Sequence, residues 1–301
     1  MGVPENASGL KVWLDGELVP SETASISVFD HSFNYGDAVF EGIKFIAGRV
    51  FDLDLHLERL YRSARFLRIA IPSDLPTFRS HVLETIRANG LTDGYLRIVV
   101  SRGAGPLGLR NMDRIEAPTI AIICQREAAK SAEELTAAPG KRAVTVSTRR
   151  TPPVCLDPRI KSCNYLNNIV ADLERRAAGA DFAVMLDTEG YVCEGPAENI
   201  FIAHRTHLMT PRAEKCLDGI TRRSIIAACP ELGLTVEEKD FTLYDVYTAS
   251  EMFSTGSLND VTWISEVNGR VIGDGKVGPV VRALLPAVRR LAAEIATPID
   301  G

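Results

Sequence analysis

The sequence predicts an α+β protein of two domains, and three observations carry this prediction. The chain has 301 residues, of which 46% are apolar, a size and composition that suit one large or two medium globular domains. Segments with strand-like alternation lie among segments with helical spacing of apolar residues. A polar, alanine-rich stretch that ends in Pro-Gly separates the two halves. We therefore expect a small N-terminal domain over 1–125, an interdomain linker over 126–140 and a larger domain over 141–301.

The first half begins with a predicted hairpin, because two short apolar stretches flank the Asp15-Gly16 turn in "KVWLDGELVP". "ASISVFD" alternates like a strand, and "AVFEGIKFIAGRVFDL" has strand-like residues interrupted at Gly48. Two helices are predicted next, over 54–69 and over 75–89, and the second ends at an Asn-Gly C-cap. The predicted strands "YLRIVVS" and "TIAIIC" complete the domain.

The second half resumes with the predicted strand "AVTVST" and a helix over about 163–178. Apolar residues share one face of that helix, at Leu166, Ile169, Val170 and Leu173. "DFAVMLD", "YVCE" and "NIFIA" read as strands, "ITRRSIIAACPEL" as a helix and "EMFSTG" as another strand. The terminal helix is "VVRALLPAVRRLAAEIA".

Composition and charge exclude several classes of protein. The net charge of −5 gives no strong attraction to nucleic acid or to an anionic membrane. No apolar run approaches the roughly 20 residues that a membrane span needs, and the N-terminal segment lacks the apolar core of a signal peptide. The six cysteines have no metal-ligand spacing and are typical of reduced thiols. We therefore expect a cytoplasmic protein without a metal site.

One glycine-rich motif resembles a nucleotide site only in its letters. "GAGPLG", residues 103–108, is a G-x-G-x-x-G string after a predicted strand. A dinucleotide site also needs a helix directly after the string, with its N-terminus on the pyrophosphate. Here irregular residues lead to Pro118 and another strand. The string therefore predicts a glycine-rich substrate loop.

Lys161, in "RIKSCNYLNN", stands just before a predicted helix. The positive end of the helix dipole repels a cation, so the pKa of an amine at that position is lowered. A neutral amine is a nucleophile toward carbonyl groups, as in Schiff-base lysines. A solvated lysine that ignores the dipole is the alternative, and spacing alone favours that alternative.

Three segments farther along the chain favour the catalytic interpretation of Lys161. "DGITRR" (218–223) places a glycine before a helix that starts with Ile220 and Thr221, an arrangement that suits an anion. "STGSLND" (254–260) is a second Gly/Ser/Thr turn after a strand. Glu194 ends a strand beside Gly195-Pro196, where a buried carboxylate could hold a ring nitrogen protonated. Ordinary helix caps and a surface glutamate are the alternative interpretation of the same residues.

Taken together, these residues resemble the fold-type IV enzymes that use pyridoxal 5′-phosphate (PLP), specifically the branched-chain amino acid aminotransferase-like group. The matches run in family order over nearly the whole chain. They are "HSFNYGDAVFEGIK" (31–44), "HLERL" (56–60), "YLRIVVSRGAGPLGL" (95–109), "RIKSCNYLNNI" (159–169), "CEGPAENIF" (193–201) and "DGITR" (218–222).

The resemblance implies a fold and a cofactor. The fold would be a small N-terminal α/β sandwich followed by a larger pseudo-barrel domain that binds PLP. Lys161 would bind the cofactor covalently and then move a proton between the substrate Cα and the cofactor C4′. Glu194 would pair with the pyridine nitrogen, which keeps the ring an electron sink, and Tyr165 would hydrogen-bond its O3′. The phosphate would lie against Arg59, Ile220, Thr221, Gly256 and Ser257.

The resemblance also implies a substrate site. "FEGIK" and "YLR" match the branched-chain pattern, in which an apolar pocket would be lined by Tyr35, Phe40 and Tyr165. Arg97 would accept the distal carboxylate of glutamate, and Tyr95 with the backbone at Ser257–Leu258 would take the α-carboxylate. Family enzymes are homodimers or larger, and Tyr35 and the 103–110 loop with Leu109 would reach the neighbouring active site.

The implied activity is transfer of the amino group between an L-branched-chain amino acid and 2-oxoglutarate by a ping-pong mechanism. D-amino acid transaminases, (R)-amine transaminases and aminodeoxychorismate lyase share the lysine segment and stay open as alternatives. "LRNMDR" (109–114) departs from the commoner continuation of its loop, so the substrate contacts of that loop stay open as well.

Overall fold

The computed structural model describes residues 2–258 and 260–300, and these residues form two compact units. Unit 2 comprises Lys130–Arg159 and Tyr165–Glu294, and unit 1 comprises the remaining residues, which are 2–129, 160–164 and 295–300. The segment that carries Lys161 belongs to unit 1, whereas the sequence analysis includes it in the second domain.

The elements follow one another along the chain in a mixed order of strands and helices. The strands are β1 Lys11–Leu14, β2 Glu17–Pro20, β3 Ala38–Ile46, β4 Arg49–Val50, β5 Gly94–Ser101, β6 Thr119–Gln125, β7 Lys141–Thr145, β8 Phe182–Leu186, β9 Val192–Glu194, β10 Asn199–His204, β11 His207–Thr210, β12 Thr235–Glu238, β13 Glu251–Gly256, β14 Asp260–Val267, β15 Arg270–Val271 and β16 Thr297–Pro298. The α-helices are α1 His31–Tyr35, α2 Leu53–Phe66, α3 Leu75–Ala88, α4 Ala132–Ala137, α5 Leu166–Ala177, α6 Ile220–Ala228, α7 Leu243–Thr248 and α8 Pro279–Ile295. Short 3-10 helices span Glu5–Ala7, Leu109–Arg114 and Pro230–Leu232.

Unit 1 is an antiparallel sheet of seven strands in the order β16-β4-β3-β5-β6-β1-β2, with α2 and α3 packed against it. β5 and β6 alternate between buried and half-buried residues, so one face of the sheet forms the core and the opposite, half-buried face carries both polar and apolar side chains. Leu53, Leu57 and Leu60 of α2 are buried against the core face. Asp74 caps α3 by accepting a hydrogen bond from the Thr77 amide.

The last described residues complete the sheet of unit 1. β16 pairs with β4, and Ile299 lies in the core. The guanidinium groups of Arg49 and Arg87 donate to the carbonyl oxygens of Ala296 and Ile299, at 2.7 and 2.8 Å. These contacts attach the segment to strands and helices of the first hundred residues.

Unit 2 contains a closed barrel of six strands, because β10, β13, β14, β7, β8 and β9 each pair with the next and β9 pairs back to β10. Side chains that alternate along β10 enter different cores: Ile200 and Ile202 join one cluster, while Phe201 and Ala203 join another. The second cluster includes residues of α6 and α8. Phe201 stacks on Phe253 of β13 with their ring centroids 5.2 Å apart.

These findings confirm the predicted α+β class, and two elements differ from their predictions. "ASISVFD" is not a strand: the Phe29 amide donates to the Ser27 hydroxyl, and Ile26 and Val28 are exposed. A local side-chain hydrogen bond therefore replaces a strand ladder. The predicted linker contains α4, whose Ser131 forms a capping box with Glu134.

Within the described ranges, no helix is both long enough and apolar enough to cross a membrane. The same residues contain no group of three His, Cys, Asp or Glu side chains arranged for a metal ion. All six cysteines are free thiols, and four of them are buried.

Candidate active site

Lys161 lies in an extended segment beside β3. Its carbonyl oxygen accepts a hydrogen bond from the Phe40 amide at 2.9 Å, and its own amide donates to the Ser63 hydroxyl at 3.2 Å. Ser162 forms an isolated bridge with Val39. The prediction that Lys161 stands at the N-terminus of a helix is wrong, since α5 begins only at Leu166. The main chain of β3 positions this lysine, and the dipole of α5 does not account for its position.

Two basic side chains lie over the ring of Phe40. The Lys161 Nζ lies 4.7 Å from the ring centroid, and the Arg97 guanidinium carbon lies 4.3 Å from it. Phe40 and Arg97 share the half-buried face of the sheet because β3 and β5 pair in a register that places Gly42 opposite Arg97. An amine and a guanidinium therefore flank one apolar ring, as a site for an apolar side chain and a carboxylate requires.

Tyr95 lies next to Arg97 on this face, above Gly42. A Cβ atom added at Gly42 would overlap the Tyr95 hydroxyl, so glycine permits the close approach of this ring. Burial raises the pKa of the Tyr95 hydroxyl above its ordinary value. The hydroxyl therefore remains protonated at neutral pH and is able to donate a hydrogen bond to a carboxylate.

Arg59 is buried on α2 and held by Glu41. Its Nε and Nη2 donate to the two carboxylate oxygens of Glu41 at 2.7 and 2.8 Å, a bidentate geometry that fixes the guanidinium plane. The His56 Nδ1 lies 2.6 Å from the same carboxylate. Burial acts to raise the pKa of the Glu41 carboxyl, but the Arg59 guanidinium and the His56 imidazole hold that pKa well below the ordinary range. Arg59 is thereby a charged, oriented donor.

Tyr35 and the glycine-rich loop contact each other within one chain. The Gly108 amide donates to the Tyr35 hydroxyl at 2.7 Å. Leu109 then begins a 3-10 helix and is 65% exposed. The loop has no α-helix after it, as the sequence analysis predicts for a substrate loop. Tyr35 and Leu109 both present apolar surface to the outside of unit 1.

In unit 2, Glu194 ends β9 and is buried. Its Oε1 accepts a hydrogen bond from the Arg150 Nε at 2.5 Å, and its Oε2 accepts one from the Leu217 amide at 2.9 Å. A carboxylate offers about four lone-pair positions. Each oxygen of Glu194 therefore keeps capacity for a further donor, such as a protonated ring nitrogen.

Asn199 holds the segment that leads into α6. It lies opposite Glu194 in the sheet, and its Nδ2 donates to the Leu217 carbonyl at 2.7 Å. A Cβ added at Gly219 would overlap the Asn199 Oδ1, so glycine is required there for close packing. Gly219 is the N-cap of α6 and offers no capping side chain. The first amides of α6, at Ile220 and Thr221, thus suit an anion.

The second predicted anion turn follows β13. Thr255 lies opposite Asn199 in the sheet, so Glu194, Asn199 and Thr255 form a buried polar row across three adjacent strands. The Thr255 hydroxyl is buried and has no hydrogen-bond partner among the described residues. Such a group needs a partner, and a phosphate oxygen is a suitable one. β13 ends at Gly256, and Asn259 in the same predicted turn lies outside the described residues.

The predicted site residues thus form two groups, one in each unit. Those of unit 1 are Tyr35, Phe40, Arg59, Tyr95, Arg97, Leu109 and Lys161, and those of unit 2 are Tyr165, Glu194, Ile220, Thr221, Gly256, Ser257 and Leu258. Tyr165 is half-buried as the N-cap of α5, Ser257 is half-buried and Leu258 is exposed. Four residues of the site, Glu41, Arg150, Asn199 and Thr255, are not predicted from the sequence. Glu41, Asn199 and Thr255 stand inside the quoted motifs, where a polar side chain between buried residues is a usable signal.

Comparison with known proteins assigns the chain to a family. The model of the amino-transferase class IV family matches residues 38–267. This range covers most of the chain and contains every predicted site residue except Tyr35. The protein is a class IV aminotransferase.

Two relatives indicate which kind of class IV aminotransferase this chain is similar to. The chain is 43% identical to a putative branched-chain-amino-acid aminotransferase of Methanocaldococcus jannaschii, over 91% of this chain and 94% of that protein. It is 36% identical to the branched-chain-amino-acid aminotransferase of Pseudomonas aeruginosa, over 92% and 91% of the two chains.

A solved structure that is similar to this chain also belongs to a branched-chain aminotransferase. The branched-chain aminotransferase of the thermophilic archaeon Thermoproteus uzoniensis, solved with norvaline, superimposes with a TM-score of 0.88 at 36% identity, covering 96% of this chain and 99% of that chain. The fold is therefore that of the fold-type IV aminotransferases, and the prediction of this family is confirmed.

Proposed function

We propose that the protein is a PLP-dependent transaminase that moves the amino group between L-leucine, L-isoleucine or L-valine and 2-oxoglutarate. The observation that carries the proposal is the similarity of this chain to branched-chain aminotransferases. The similarity holds in sequence and in fold, and it extends over more than nine-tenths of the chain. A structure of another branched-chain amino acid aminotransferase, complexed with N-(5′-phosphopyridoxyl)-L-glutamate and 33% identical to this chain, supports both the cofactor and glutamate as the second substrate.

Each unit contains residues that suit part of this cofactor. In unit 2 the uncapped start of α6 and the Thr255 hydroxyl suit its phosphate, together with Gly256 and Ser257. Arg59 of unit 1 is charged and fixed in orientation, which also suits phosphate. Glu194 is held by two donors and would bind the protonated pyridine nitrogen. Tyr165 would hydrogen-bond O3′.

PLP, when bound, supplies an electron sink that makes the substrate Cα acidic. Lys161 supplies two functions from one atom, because its Nζ is both the nucleophile that binds the cofactor and the base that moves the proton. Its position depends on the hydrogen bonds of its main chain to Phe40 and Ser63. The side chain can therefore swing between the two tasks while its backbone stays fixed.

The substrate side chain would lie on the half-buried face of the unit 1 sheet. Phe40, with Tyr35, Leu109 and Tyr165, would contact a branched aliphatic group. Arg97 stacks on Phe40 and would bind the distal carboxylate of glutamate, so one pocket accepts both substrates. Tyr95 and the main chain at Ser257–Leu258 would bind the α-carboxylate.

A donor panel tests this proposal. With 2-oxoglutarate as acceptor, we expect the three L-branched-chain amino acids to give kcat/KM values about 100-fold above those of D-alanine and (R)-1-phenylethylamine, because the pocket binds one arrangement of groups at Cα. Glutamate formation with each donor is the measurement. Faster turnover of D-alanine or of the (R)-amine would assign the enzyme to another branch of its family.

We further propose that the protein acts as a homodimer or larger homo-oligomer in the cytoplasm. The apolar stripe of α5, at Leu166, Ile169, Val170 and Leu173, is 40–68% exposed, while Asn168 and Ala171 face the interior. Contiguous exposed apolar residues are typical of protein interfaces, and a second copy of the chain is the occupant we propose. Free, mostly buried cysteines support a reducing compartment.

Charges introduced into the α5 stripe test the oligomer. Leu166→Glu combined with Leu173→Glu is expected to raise the dimer dissociation constant at least about 100-fold, because two buried charges replace apolar contacts. Sedimentation velocity across a concentration series measures this constant. Val271→Glu is the matched control, since Val271 is also exposed but lies outside the stripe. An unchanged constant in the double variant would place the interface elsewhere.

A further inference from the structure

We propose that Arg150 is a positioning residue for the cofactor ring: it holds Glu194 charged and oriented toward the pyridine nitrogen. This inference rests on the proposed function, since it assumes that Glu194 binds that nitrogen. Neither the family resemblance nor the predicted site includes Arg150. The proposal follows from the contacts of its guanidinium and from the burial of the pair.

Arg150 pairs with a side chain of opposite charge, that of Glu194. The Nε lies 2.5 Å from the Glu194 Oε1, and the side chains of Arg150 and Glu194 are only 13% and 5% exposed. The Arg150 amide donates to the carbonyl oxygen of Leu186 on β8. Because β8 pairs with β9, which carries Glu194, both partners are attached to the same part of the sheet.

The charge of Glu194 needs this partner. The second donor to its carboxylate is the Leu217 amide, a neutral group. A buried carboxylate without a counter-charge favours its protonated form, and a protonated Glu194 would no longer attract a pyridinium. Arg150 supplies the positive charge beside this buried carboxylate.

Arg150 also helps to orient the carboxylate of Glu194. Arg150 fixes Oε1 and Leu217 fixes Oε2, so the carboxylate plane is held at both oxygens. Without the guanidinium, one oxygen loses its donor and the side chain gains rotational freedom about its terminal bond. A ring nitrogen would then meet a carboxylate that is less charged and less well placed.

The consequence is specific to the ring nitrogen. Loss of Arg150 should weaken the binding of PLP, which carries the nitrogen, more than that of 1-deaza-PLP, in which carbon replaces the nitrogen. A residue that only supports the fold would affect both ligands equally. The ratio of the two dissociation constants therefore separates positioning from general stability.

The experiment measures this ratio by absorbance titration of the full-length apo-enzyme with PLP and with 1-deaza-PLP. We expect Arg150→Met to lower the preference for PLP about tenfold. Removal of the hydrogen-bond partner of a metal ligand lowers metal affinity by about 10–100-fold, and we expect the lower end of that range here. Arg149→Met is the matched control, because Arg149 is exposed and its guanidinium donates to the Val146 carbonyl. The control is expected to keep the preference of the wild type.

Glu194→Gln completes a double-mutant cycle. Arg150→Met should add no further loss of preference in the Glu194→Gln background, because its effect acts through that carboxylate. Circular dichroism confirms that each apo variant is folded, and Arg150→Gln replaces Arg150→Met if the methionine variant unfolds. An equal loss for both ligands, or no loss, overturns the inference. A wild type that binds neither ligand would instead overturn the proposed function.

Discussion

Lys161→Ala is expected to abolish transamination of L-leucine and to remove the visible absorbance band of the lysine-bound cofactor. The substitution deletes both the nucleophile that binds PLP and the base that moves the proton. Proton transfer by a positioned side chain alone contributes about 10²–10⁴-fold to rate, so we expect a loss of at least about 10³-fold. Single-turnover assays with leucine and absorbance spectra of the purified variant measure the two effects.

The fold should survive this substitution. The hydrogen bonds that place residue 161 use its amide and its carbonyl oxygen, which alanine retains. Lys141→Ala is the control, because Lys141 is exposed at the start of β7 and takes no part in the proposed site. Turnover of leucine at the wild-type rate by Lys161→Ala would remove this residue from the chemistry altogether.

Glu41→Ala is expected to produce the largest loss of stability, about 3–5 kcal/mol in the free energy of unfolding of unit 1. The substitution leaves Arg59 buried without the carboxylate that binds two of its nitrogens. His56 loses the same partner. Since the guanidinium also loses its fixed orientation, we expect weaker binding of phosphate-containing cofactor in the same variant.

Tryptophan fluorescence isolates this effect. Trp13 lies in the core of unit 1 and Trp263 lies on β14 of unit 2. In a Trp263→Phe background, urea unfolding followed by fluorescence therefore reports on unit 1. Asp54→Ala is the control within unit 1, because its ion pair with Arg79 is largely exposed, with the two side chains 61% and 38% exposed, and such pairs contribute about 0–1 kcal/mol. Equal effects of the two substitutions would contradict the proposed role of Glu41.

The contribution of Glu41 depends on pH in one direction. Its pKa in the folded protein lies well below the ordinary value, so the unfolded chain takes up a proton at a higher pH than the folded chain. The stabilisation is fully present above the unfolded pKa of about 4.3. It is lost as the pH falls toward the folded pKa. The difference in stability between wild type and Glu41→Ala should therefore shrink below about pH 4.

Much of the fold follows from short-range patterns. The alternation of β5 and β6, the Asn-Gly end of α3 and the glycine before α6 each specify an element locally, and the structure has these elements close to their predicted bounds. "ASISVFD" fails because alternation alone does not provide a core to face. The apolar face of α5 is predicted, but whether it packs inside the unit depends on tertiary contacts.

The candidate site shows a similar division. Lys161, Glu194 and the start of α6 stand in motifs whose letters indicate their chemistry. The groups that hold them do not, because Glu41 reaches Arg59 on a neighbouring helix and Arg150 reaches Glu194 from a distant loop. No spacing in the sequence encodes such pairs. Lys161 does not stand at a helix N-terminus, because α5 begins only at Leu166, so a helix dipole does not explain the lysine at this position.

The pairing of β16 with β4 has a consequence for how the protein is made. Unit 1 includes the first described residues, but its sheet and core also include Thr297 and Ile299, and the segment 160–164 belongs to it as well. The ribosome therefore synthesises all of unit 2 before it has synthesised the last residues of unit 1. Synthesis proceeds from one end to the other, while completion of the first unit waits for residues encoded far downstream.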